Sequence, residues 1–74
     1  MPRLVPERPP EVIRKLRALG FEGPHEGGKH MVMRHPATRK KISVPIHGTR
    51  TLPMGTLRAI VREAGCTTEE WGRL

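Results

Sequence analysis

The sequence predicts an α+β fold of order α-β-β-β-α, with a three-stranded antiparallel sheet carrying helices on one face. Three observations predict it. Apolar residues recur at helical spacing in two separated segments, Val12-Ile13-Leu16-Leu19 and Leu57-Ile60-Val61-Ala64. Between them the period drops to two, as a half-buried strand requires. Turn residues punctuate that middle stretch, at Gly27-Gly28 and at Pro36-Ala37-Thr38-Arg39.

Each element has a local reason. Residues 1–9 hold three prolines and read as an extended lead-in to a single domain over 10–74. Pro10 suits the first position of a helix over about residues 10–19, because its missing N–H is not needed there. Glu11 lies at the positive end of the helix dipole, and Arg14, Lys15 and Arg17 lie toward the negative end. These three cations read as a solvated helix face. Gly20 supplies the residue after the helix, and Phe21 can fold back onto it. A first strand is expected over Phe21–Glu26, interrupted by Gly23-Pro24. The second, Lys29–His35, sends Met31 and Met33 to one side and His30, Val32 and Arg34 to the other. The third, Lys40–Val44, turns Ile42 and Val44 inward and Lys41 and Ser43 outward. A loop over Pro45–Pro53 precedes the second helix, which ends at Gly65. Cys66 reads as a small buried residue. Thr67 and Glu70 then match a capping box that opens a terminal turn, with Trp71 packed against the body.

Composition narrows the function. With 74 residues, the chain has room for one small core and no deep cofactor cavity, which argues against nucleotide-cofactor folds of the Rossmann or barrel kind, and no cofactor is expected. No apolar run spans a bilayer, and the opening residues lack a secretory leader, so a cytoplasmic protein is expected. One cysteine allows neither an internal disulfide nor a cysteine-based zinc site. The formal charge is +7, and its placement matters more than its size. All seven acids are glutamates, and none lies between Glu26 and Glu63. That gap holds Lys29, Arg34, Arg39, Lys40, Lys41, Arg50, Arg58 and Arg62. Such a block attracts a polyanion, and nucleic acid is the leading partner. A membrane surface fits less well, because no amphipathic helix joins this charge to exposed aromatics.

The basic block also limits the chemistry. Nucleases that use Mg²⁺ gather carboxylates around it, and the block has none. Cleavage of RNA needs none: the 2′-OH is the nucleophile. The protein must supply a base for its proton, an acid for the 5′-oxygen and cations for the phosphorane charge. His30, beside Arg34 on its own strand and Lys41 and Ser43 on the next, can serve as that base or acid. His47 is read either as a second acid–base group or phosphate contact, or as a histidine that orders its loop. His25, His30, His35 and His47 have no zinc-like spacing, so no metal site is expected.

The string Gly27-Gly28-Lys29-His30-Met31-Val32-Met33-Arg34-His35-Pro36, then Val44-Pro45-Ile46-His47, then Gly55-Thr56-Leu57 through Gly65, resembles the HicA family of toxin mRNA interferases. Leu16 to Phe21 and Glu69-Glu70-Trp71 extend the likeness, which covers about residues 10–72. The resemblance implies a fold like a double-stranded-RNA-binding domain. It implies metal-independent endoribonuclease action on mRNA and neutralisation by a HicB-like antitoxin. The family's catalytic histidine falls on His30, and Lys29, Arg34, Lys41 and His47 are the expected RNA contacts. The alternative is a non-catalytic RNA-binding module of the same fold.

Overall fold

A computed structural model describes residues 4–27, 30–46 and 50–74. Its elements run α1 (Pro9–Ala18), β1 (Glu22–Gly27), β2 (His30–Arg34), β3 (Lys41–Pro45), α2 (Met54–Glu63) and α3 (Thr68–Gly72). The sheet is antiparallel in the order β1-β2-β3. The α-β-β-β-α arrangement is therefore the one that the change of hydrophobic period predicts.

Both long helices end in the same way. The Phe21 N–H donates to the Leu16 carbonyl and the Gly20 N–H to the Arg17 carbonyl, each at 3.0 Å. Gly20 has φ +97°, the left-handed conformation that closes such a helix end at least cost to glycine. At the end of α2, Gly65 and Cys66 donate to Arg62 and Val61 in the same pattern. The Thr67–Glu70 capping box forms as expected: the Glu70 N–H donates to Thr67 Oγ1 at 3.0 Å, and the Thr67 N–H donates to Glu70 Oε1 at 2.8 Å.

The core lies between the sheet and the helices. Val12 and Leu16 of α1, Met33, Ile42 and Val44 of the sheet, and Leu57, Ile60 and Val61 of α2 are all buried. Met33 pairs with Ile42 and Met31 with Val44, so one face of β2 and β3 is apolar throughout. Phe21 and Leu52 complete the core, and Trp71 is buried at its end. Among the described residues no helix is long and apolar enough to cross a membrane.

One helix-face expectation is corrected. Lys15 is buried rather than solvated, at 7% exposure. Glu7, from the lead-in, is equally buried and lies with its Oε2 2.7 Å from Lys15 Nζ. The Trp71 indole N–H donates to Glu7 Oε1 at 2.6 Å, and Lys15 Nζ lies 5.5 Å from the centre of the Trp71 ring. The Leu52 N–H donates to the Glu7 carbonyl at 2.8 Å. The lead-in is thereby tied to α1, to α3 and to the segment before α2.

Candidate nucleic-acid interface

The outer face of the sheet is built by its register. His30 of β2 stands between Gly27 of β1 and Pro45 of β3. One row on, Val32 stands between His25 and Ser43, and Arg34 stands between Glu22 and Lys41. Residues paired across strands share a face, and successive residues alternate. His30, Val32 and Arg34 therefore lie opposite the core side of Met31 and Met33. His30, Arg34, Lys41, Ser43 and His25 are all exposed.

β1 reaches this register through a bulge. Between the pairs Glu22–Arg34 and His25–Val32, β1 has one residue more than β2. The extra residue falls at Gly23-Pro24. Gly23 has φ +133°, and a Cβ there would meet the Val32 carbonyl oxygen at 2.7 Å, so glycine is required. Arg17 of α1 grips the bulge from outside: its Nε and one terminal nitrogen donate to the Gly23 carbonyl at 3.0 and 2.7 Å. The bulge inverts the alternation of β1. Without it, His25 would face the side opposite Glu22; with it, both lie on the outer face.

Two shallow depressions open there. One, of about 380 Å³, is lined by His25, Val32, Arg34 and Lys41. The other, of about 320 Å³, is lined by Glu22, His25, Arg34, His35, Pro36 and Arg39. A third, of about 270 Å³, lies round the β3 edge among Lys40, Lys41, Ile42, Arg62 and Glu63. The cations of the basic block thus continue from the outer face to α2. Arg34 and Lys41 line the first, Arg34 and Arg39 stand with Glu22 in the second, and Lys40, Lys41 and Arg62 stand with Glu63 in the third.

His35 has a different task. Its Nδ1 accepts from the Ala37 and Thr38 N–H groups at 3.2 and 3.3 Å, and its ring meets Phe21 edge-on at 5.1 Å. It orders the β2–β3 turn. Lys29 and His47, both expected to contact RNA, lie outside the described residues. Among the described residues, no three His, Cys, Asp or Glu side chains gather as a metal-binding group.

His30, Arg34, Lys41 and Ser43 share one face, as strand alternation predicts. His25 joins them there, a placement that simple alternation does not predict. The Gly-Pro pair inside a strand was the available signal, since glycine there often marks a bulge and a bulge inverts the faces that follow.

The profile of a protein family described as HicA toxin of bacterial toxin-antitoxin matches residues 10–66, more than half of the chain. No curated protein matches it.

Proposed function

Because the chain belongs to the HicA family, the toxins of bacterial toxin–antitoxin systems, we propose that it is a metal-independent endoribonuclease of the cytoplasm. Its substrate is mRNA, its catalytic histidine is His30, and a HicB-like antitoxin neutralises it. The observation that carries this reading is an exposed imidazole on a sheet face shared with Arg34 and Lys41. RNA requires little more. A base takes the 2′-OH proton, the 2′-oxygen attacks phosphorus, and the P–O5′ bond breaks as an acid protonates the leaving oxygen. The products are a 2′,3′-cyclic phosphate and a free 5′-hydroxyl. Arg34 and Lys41, two outward rows along the sheet from His30, draw the phosphates of the RNA strand to this face. His47 is proposed as a further RNA contact on the strength of the family likeness, and Lys29 on its charge directly before His30 in the sequence.

The test is induction in a bacterial host. Wild type is expected to arrest growth and deplete mRNA, and His30→Ala to do neither. A wild-type protein that binds RNA without cleaving it would favour the RNA-binding module instead. Arrest by the His30→Ala variant would move the chemistry away from His30.

A further inference from the structure

We propose that His25 is a second catalytic histidine, dividing with His30 the two proton transfers of RNA cleavage. The inference rests on the ribonuclease reading and adds a residue to it. In-line attack places the entering 2′-oxygen and the leaving 5′-oxygen on opposite sides of phosphorus. One imidazole cannot reach both in a single step, so a second proton carrier is wanted across the phosphate from the first.

The register supplies one. His25 is paired with Val32, so His30 and Arg34 are its two diagonal neighbours on the outer face. Diagonal neighbours on paired strands stand about 7–8 Å apart. That gap accommodates a phosphodiester between two imidazoles. His30 lines neither depression of this face, so the register alone relates the two imidazoles; His25 lines both, one with Arg34 and Lys41 and the other with Glu22, His35 and Arg39. The charged and titratable groups around it are thus Glu22 from its own strand, Arg34 from β2, His35 and Arg39 from the turn, and Lys41 from β3. His35 is committed to the turn through Nδ1, which leaves His25 as the described imidazole nearest in register to His30.

The backbone is arranged around this outcome. His25 faces outward only because of the bulge at Gly23, and Arg17 reaches from α1 to hold that bulge. Bulges occur beside active sites, where they re-aim a side chain. The proton balance closes without a co-reactant. One histidine starts neutral and leaves protonated, the other starts protonated and leaves neutral, and water is not consumed in forming the cyclic phosphate.

The experiment compares wild type, His25→Ala, His25→Gln and His30→Ala on a short RNA with one cleavable ribose, in EDTA. A second substrate carries sulfur in place of the bridging 5′-oxygen. A thiolate leaves without a proton, so this substrate bypasses the acid. On the oxygen substrate, each histidine variant is expected to lose at least about 100-fold in rate, the usual scale of a lost acid or base. The sulfur substrate should restore either the His25 variants or His30→Ala, but not both; the rescued position is the acid. A melting curve and binding of an uncleavable 2′-deoxy analogue accompany each variant, and His25→Gln keeps a polar side chain should alanine unfold the strand. If wild type cleaves, His30→Ala does not, and the His25 variants cleave like wild type, the inference is wrong and the ribonuclease reading stands. Loss at His25 with no sulfur rescue at either position would also overturn it. A wild type that leaves RNA intact would overturn both.

Discussion

His30 owes its exposure to its place in β2, where its two flanking partners are Gly27 and Pro45 and the neighbouring Met31 turns to the core side. Its ring is not part of the core, so His30→Ala is expected to change folding stability by less than about 0.5 kcal/mol, as surface substitutions do. The same variant should be harmless to its host. It should still bind the antitoxin, because a partner over this face would hold many residues besides one imidazole. A melting curve and a pull-down on the purified variant check both points; unfolding would make His30 a structural residue. His30, Arg34 and Lys41 were legible in the sequence because strict alternation fixes a face without knowledge of the rest of the fold. His25 was not, because one extra residue inverted the alternation ahead of it. Lys15 was not either. Its burial is set by Glu7 and Trp71, which lie far from one another in the chain and meet only after folding.

At the scale of elements, order and type were readable because each long helix carries its own apolar stripe, α3 its capping box, and each turn its own glycine or proline. The fastening of the ends was less readable. The lead-in reads as plain extended chain, yet Glu7 joins α1 to α3 through two side-chain contacts. Glu7→Ala leaves a buried ammonium and a buried indole N–H without partners, and it is expected to cost about 3–5 kcal/mol. Glu11→Ala, which removes an exposed ion pair with Arg14, is expected to cost well under about 1 kcal/mol. Chemical denaturation of the two variants makes the comparison, and equal small losses would contradict the strap. The cap of α3 responds to pH. The Thr67 backbone N–H, then the Thr67 side chain, and more weakly the charge of Arg73, hold the Glu70 carboxyl below its usual value. A lowered folded-state value stabilises the protein above the unfolded value, and the gain is lost as pH falls through the folded one. The melting temperature of wild type should therefore fall on acidification through and below the usual glutamate range. Glu70→Gln should show a smaller fall over the same interval. Identical acid profiles would mean that the cap adds nothing to α3.

The whole molecule is one apolar layer of helices on a sheet whose free face is basic, and the sequence showed this as a long central block without a single acid. The block runs from Arg34 and Lys41 on the outer face round to Lys40 and Arg62 at its edge. If four of these cations meet phosphates of a single strand, the logarithm of RNA affinity should fall with the logarithm of salt at a slope of about −3. A titration of an uncleavable RNA at several salt concentrations measures it, and a slope near zero would mean that the block faces something else. On the proposed reading, the imidazole of His30 is what makes such a surface an enzyme rather than a grip. The most direct measurement is cleavage of one end-labelled RNA by purified wild type and His30→Ala, both in excess EDTA. Wild type is expected to cut, leaving a 2′,3′-cyclic phosphate end, and His30→Ala to leave the RNA whole. Cutting that stops in EDTA and returns with Mg²⁺ or Mn²⁺, or cutting that survives the loss of His30, would contradict the account.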